Sequence, residues 1–112
     1  MKRDEIFLRH ILENISLIQQ SLLNVKKQDF LKDREKQDAN LRRLEIIGEA
    51  AKNISNRLKQ KYSSVPWKEI AGTRDKLIHN YFGVDLELTW EIIKVDLPKL
   101  KKEIEKILGE VV

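Results

Sequence analysis

Apolar residues recur every three or four positions along most of this 112-residue chain, and that rhythm leaves little choice of fold. Ile11, Ile15, Ile18, Leu22 and Val25 form one such stripe, with Asp4 placed to cap the helix that carries it. Leu44, Ile47, Ala51, Ile54 and Leu58 form a second, which extends back to Leu41 and on to Tyr62. Spacings of three and four put each set on one face of a helix, and such a face must be buried against another. No stretch alternates apolar and polar residues with β-branched enrichment, so no sheet is expected. The pattern predicts an all-α protein, an antiparallel four- to five-helix bundle, with residues 1–112 forming a single domain.

The breaks in the rhythm set the boundaries. The second helix begins between Leu31 and Asp38 and stops near Tyr62, because Ser63-Ser64-Val65-Pro66 supplies turn residues and a proline that cannot continue it. Trp67 to Tyr81 reads as a helical stretch with a break at Gly72-Thr73, and Gly83 and Asp85 mark the next stop and cap. From Leu86 the stripe Trp90, Ile93, Leu97, Leu100, Ile104, Ile107 and Val111 survives Pro98, which predicts a kink or restart there without a change of direction.

Composition narrows the chemistry. There is no cysteine, which excludes disulfides, thiolate metal sites and a catalytic thiol. No apolar run reaches the roughly 18 residues of a membrane span, and the amino terminus lacks the form of a signal peptide, so a cytoplasmic protein without membrane attachment is expected. The net charge of +4 favours encounter with phosphates. Most of the basic residues alternate with acids, as in Lys32-Asp33-Arg34-Glu35-Lys36, the habit of an ordinary solvated face.

One position breaks the apolar rule. Counting from Ile70, the inward stripe of the third helical stretch passes through Arg74, Leu77 or Ile78, and Tyr81. A guanidinium there needs an anion, solvent or a cleft, since an unpaired buried charge is very costly. An ion pair with Glu45 or Glu49 on the second helix would meet that need and could orient the arginine. In a continuous helix at about 100° per residue, Arg74 and Tyr81 are about 20° apart, whereas His79 lies about 140° from Arg74. One helix then cannot easily aim Arg74 and His79 at a single phosphate, but a two-fold homodimer that juxtaposes two such helices can.

Arg74, His79 and Tyr81 resemble the R-x4-H-x-Y motif of the HepT-like toxins, within the HEPN superfamily of ribonucleases. The segments Arg43 to Lys52 and Val65 to Gly72, Trp90, and the Asp96-Leu97-Pro98 region are also similar to that family, so the likeness spans most of the chain. The resemblance implies an HEPN-like bundle and a metal-independent endoribonuclease at a dimer interface. Arg74 and His79 would be catalytic and Asn80 would position substrate. RNA supplies its own 2′-hydroxyl nucleophile, so a site must place a phosphate, move protons and stabilise charge, and the expected ends are a 2′,3′-cyclic phosphate and a 5′-hydroxyl. An imidazole titrates near neutral pH, and a guanidinium offers a planar fork suited to phosphate. The resemblance also implies a toxin-antitoxin pair in which an MntA-like minimal nucleotidyltransferase adenylylates Tyr81. No metal and no cofactor are assigned: Glu45 and Glu49 lie one turn apart, but no histidine accompanies them in sequence and Arg42, Arg43 and Lys52 surround them. The alternative function is a non-catalytic module that binds a nucleotide or accompanies a nucleotidyltransferase. Trp67 and Trp90 read as packing residues and His10 as a surface residue.

Overall fold

A computed structural model of the chain describes residues 2–79 and 83–111, with the backbone alone at His79. Four helical rods account for most of it. The first is α1 (Lys2–Ser21); a single turn, α2 (Lys27–Phe30), leads to α3 (Arg34–Asn53) and α4 (Asn56–Lys61). Next come α5 (Trp67–Ala71) and α6 (Thr73–Leu77), then two short strands, β1 (Ile78–His79) and β2 (Gly83–Val84). The last rod comprises α7 (Leu86–Glu91), a π-helical turn over Ile92–Asp96, and α8 (Leu97–Val111).

The stripes become the core. Ile11, Ile15, Ile18 and Leu22 are fully buried, and Leu44, Ile47, Ala51, Ile54 and Leu58 are nearly so, with Leu97, Leu100, Ile104 and Ile107 closing the third side. Each buried aliphatic side chain contributes about 1.5–3 kcal/mol relative to exposure, which is what holds helices of modest intrinsic stability in place. Trp67 is buried and donates its indole N–H to the Tyr62 carbonyl at 3.1 Å. Trp90 packs on Phe30, with ring centroids 5.4 Å apart, and His10 is exposed.

Polar contacts fix α1 antiparallel to α3. At one end, Asn40 Nδ2 donates to Ser21 Oγ at 3.1 Å and Lys36 Nζ donates to the Ser21 carbonyl at 3.1 Å. At the other, the buried Asp4 carboxylate accepts from the Ser55 amide at 2.8 Å and the Ser55 hydroxyl at 2.7 Å. Asp4 therefore does not cap α1, which begins two residues earlier at Lys2; it pins a distant junction.

That junction corrects the expectation of a single helix ending at Tyr62. Ile54 turns extended, with φ −64° and ψ 140°, and Ser55 restarts the chain as the N-cap of α4, accepting from the Leu58 amide at 3.2 Å. The apolar rhythm runs through the break because Ile54 and Leu58 still reach the same core. At the far end of α4 the Tyr62 hydroxyl donates to Glu110 at 3.2 Å; burial, and then the charge of that carboxylate and its hydrogen bond, raise the phenol above the ordinary tyrosine value.

Two other irregularities have local causes. Pro98 cannot donate to the Lys94 carbonyl, and its ring crowds that carbonyl. The wide turn immediately before it, in which the Leu97 amide bonds the Ile92 carbonyl, relieves the conflict without redirecting the rod. The third helical stretch, expected to reach Tyr81, stops at Leu77. Ile78 is extended, at φ −102° and ψ 115°, and β1 pairs antiparallel with β2 through Ile78 with Val84 and His79 with Gly83. The Leu77 carbonyl, which a continuing helix would satisfy from residue 81, instead accepts from the Asp85 amide at 2.9 Å. Gly83 adopts φ +82°, a left-handed conformation that glycine takes without penalty. Asp85 then caps α7 as its sequence position predicts, accepting from the Leu88 amide at 3.0 Å.

The Asp4 clamp generates a test. Asp4→Ala leaves the Ser55 amide and hydroxyl without their charged acceptor, at an expected cost of roughly 2 kcal/mol. Thermal unfolding should show Tm lowered by about 10 °C. An unchanged Tm would mean that the clamp does not hold the α3–α4 junction.

Candidate active site

Arg74 lies on α6 and its guanidinium points out of the bundle. Its Nε donates to Glu45 Oε2 at 2.8 Å, joining α6 to the middle of α3; the arginine side chain is 59% exposed and the glutamate 27%. The expectation that Arg74 sits on an inward stripe therefore fails, while the anticipated pairing with Glu45 is present. Glu49 is exposed and makes no ion pair among the described residues; its carbonyl accepts from Asn53 Nδ2 at 2.8 Å. The seat beneath the pair is lined by Leu41, Leu44, Thr73, Leu77 and Ile78 and leaves no room for a water molecule. The aliphatic part of the arginine thus rests on an apolar floor while its charged end reaches solvent.

A glycine sets how closely α6 approaches. A Cβ at Gly48 would lie 3.1 Å from the Ile70 carbonyl oxygen and 3.5 Å from that of Ala71, so the end of α5 can rest on α3 only where no side chain intervenes. The Thr73 hydroxyl donates to the Ile70 carbonyl at 2.9 Å and to that of Glu69 at 3.2 Å, tying the start of α6 to the end of α5 across Gly72. Arg74 follows at the next position. The sequence offers a signal for this that its pattern alone does not decode: a glycine inside a strongly periodic helix.

His79 lies beyond the end of α6, on β1, with its backbone paired to Gly83. The separation of about 140° expected for one continuous helix therefore does not apply, and with it goes the argument that a single copy could not present Arg74 and His79 together. Asn80 and Tyr81 lie outside the described residues, as does the His79 side chain. Beside the arginine seat, sharing Leu44 and Thr73, a cleft of about 280 Å³ runs between α3, α5–α6 and the start of α8. Its floor is aliphatic, and its rim mixes Glu69 and Glu103 with Lys76 and Lys99. Among the described residues, no group of three His, Asp or Glu side chains stands close enough to hold a metal ion. No helix among them is long and apolar enough to cross a membrane.

The helical bundle thus presents Arg74, paired with Glu45 of the neighbouring helix, five residues ahead of His79. The chain belongs to the ribonuclease HepT-like family, whose profile matches residues 11–107. It is 47% identical over 108 residues to a Thermococcus cleftensis protein named "Probable ribonuclease HepT", covering 96% of this chain and 98% of that one. A Caldanaerobacter subterraneus protein named "Putative RNase" is 45% identical over 108 residues, with 96% of each chain covered. A Methanocaldococcus jannaschii protein named "Gamma-glutamylcyclotransferase and putative RNase" is 52% identical over 111 residues; this chain spans half of that protein's length. No solved structure matches the chain.

The exposure of the Arg74–Glu45 pair decides what it contributes. Solvent-exposed ion pairs are worth about 0–1 kcal/mol. A double-mutant cycle with Glu45→Gln and Arg74→Gln should therefore give a coupling energy below about 1 kcal/mol in urea unfolding. A coupling above about 2 kcal/mol would make the pair a structural necessity of the bundle.

Proposed function

We propose that this chain is the toxin of a toxin-antitoxin pair and acts as a metal-independent endoribonuclease, with Arg74 and His79 as its catalytic groups at a homodimer interface. The observation that carries the reading is Arg74 itself, in a family of ribonucleases. Its Nε is committed to Glu45 while the end of the guanidinium faces solvent, five residues ahead of a histidine. A stability role would favour burial, whereas a role with an external phosphate favours this half-committed geometry.

In the proposed reaction the two Nη groups of Arg74 hold a phosphodiester and stabilise the negative charge that grows on its oxygens. The RNA 2′-oxygen attacks phosphorus, the bond to the 5′-oxygen breaks, and a proton passes from the 2′-hydroxyl to the leaving oxygen through the His79 imidazole. The products are a 2′,3′-cyclic phosphate and a 5′-hydroxyl. Asn80 positions the substrate. Glu45 acts on Arg74, fixing the plane of its fork.

Neutralisation in this reading is covalent. A minimal nucleotidyltransferase antitoxin transfers AMP from ATP to Tyr81: the tyrosyl oxygen attacks the α-phosphorus and pyrophosphate leaves. An anionic nucleotide two residues from His79 would then oppose RNA by occupancy and by like charge. The support for the nuclease part is family membership and relatives named as ribonucleases; the antitoxin part rests on the R-x4-H-x-Y pattern at Arg74, His79 and Tyr81.

Purified protein without tyrosine modification should cleave RNA in excess chelator. His79→Ala and Arg74→Ala should each lower the rate at least about 100-fold while leaving the circular dichroism spectrum unchanged. A folded His79→Ala protein that cuts at the wild-type rate would refute the catalytic assignment and leave a nucleotide- or partner-binding module. Separately, incubation with the partner nucleotidyltransferase and ATP should raise the intact mass by whole AMP units, and Tyr81→Phe should abolish the increase. No mass change with a demonstrably active partner would remove Tyr81 from the scheme.

A further inference from the structure

The break between α3 and α4 opens a cleft of about 580 Å³ whose walls come from three helices. Arg3 from α1, Lys52 from the last turn of α3 and Arg57 from α4 surround it, together with Asp4, Ser55 and Asn56. All three cations are exposed, and none makes an ion pair among the described residues. The carboxylate in the lining, Asp4, is 5% exposed, and both its oxygens are occupied by Ser55. The lining charges therefore sum to +2, three cations against one carboxylate. Lys59 adds a fourth cation nearby, its ammonium donating to the Lys52 carbonyl at 3.3 Å. By contrast, the cleft beside the arginine seat sets three carboxylates, Glu69, Asp96 and Glu103, against Lys76 and Lys99.

Its position matters as much as its charge. Lys52 is seven residues beyond Glu45 on α3; seven residues turn the helix by about 700°, which returns to within about 20° of the same face, and advance it by about 10 Å. The cleft and the Arg74–Glu45 pair thus share one face of α3, two turns apart. Glu49 stands between them and disfavours a phosphate at the midpoint, but its carboxylate can accept from a ribose hydroxyl or a base amine.

We propose that Arg3, Lys52 and Arg57 form a phosphate-binding subsite that holds the RNA backbone at a nucleotide away from the one cleaved, with the strand lying along the outer face of α3. The proposal rests on the ribonuclease reading for its ligand, but it concerns binding and not the reaction. Its contribution is affinity without base recognition, because backbone phosphates carry no sequence information.

The test uses the full chain and a fluorescein-labelled 2′-O-methyl oligoribonucleotide, whose blocked 2′-oxygen cannot be cleaved, with anisotropy measured across a salt series. The triple variant Arg3→Gln, Lys52→Gln, Arg57→Gln should bind at least about tenfold more weakly near 0.1 M salt, and its slope of log K against log salt should be shallower by about 0.7, the value for one phosphate contact on a single strand. A control triple, Lys32→Gln, Lys102→Gln, Lys106→Gln, removes the same charge from exposed positions outside both clefts and should leave most of the slope in place. The proposal is overturned by an unchanged slope in the first triple, by an equal loss in the control, or by wild-type protein with no salt-dependent affinity for the probe. Wild-type protein that binds with the expected slope but cleaves no unmodified RNA sustains the subsite and refutes the nuclease reading alone.

Discussion

The seam between α1 and α3 governs everything else in this fold, and it is closed at both ends by polar groups that could not be buried singly. Asp4 meets Ser55 at one end and Asn40 meets Ser21 at the other. Between them the aliphatic stripes interlock, and the buried Asn14 bonds within its own helix, to the His10 carbonyl at 2.9 Å, so it does not set the register; apolar contacts alone tolerate sliding. The end contacts supply the register: a shift by one turn would strand the Asp4 carboxylate in the core without partners, a penalty of several kcal/mol. Once α3 is fixed in this way, its outer face is fixed with it.

That outer face is where the chemistry gathers. Gly48 admits the end of α5 to backbone contact, Thr73 ties α6 to α5, and Arg74 is delivered to Glu45. A chain of short-range constraints therefore places one guanidinium relative to one helix. Regular secondary structure surrounds it on the α3 side, and the backbone of His79 follows on β1.

Much of the bundle was legible because aliphatic burial writes a simple code: the residues of the first, second and fourth stripes occupy the core. The failures have a common origin. Ile54 and Leu58 keep the helical rhythm across a real break, because a stripe reports which face is buried and says nothing about whether the backbone between is continuous. The decisive partner of that break, Asp4, is 51 residues away from Ser55. The third stretch failed differently. Counting from Ile70 to Tyr81 carried one helical register across the Gly72 break between α5 and α6 and past the end of α6 at Leu77, where the Asp85 amide takes over the carbonyl, and so it placed Arg74 inside when it is outside. An ion pair of Arg74 with Glu45 or Glu49 was readable as one way to meet its charge, and the structure selects Glu45; the placement of His79 beyond the helix was not readable.

The choice of arginine at position 74 follows from the same geometry. Glu45 engages Nε alone, and the guanidinium is planar, so fixing one edge of the plane also fixes where the two Nη groups point. A lysine has a single charged nitrogen at the end of a flexible stem; bound to Glu45 it would present neither a second edge nor a defined direction to a phosphate. In the proposed reaction the carboxylate would then compete with the substrate for the cation, whereas with arginine it would orient the cation for the substrate. An ion pair of little value to stability is intelligible on these terms, as the device that would set the direction of the fork from a helix whose own position Asp4 and Asn40 determine.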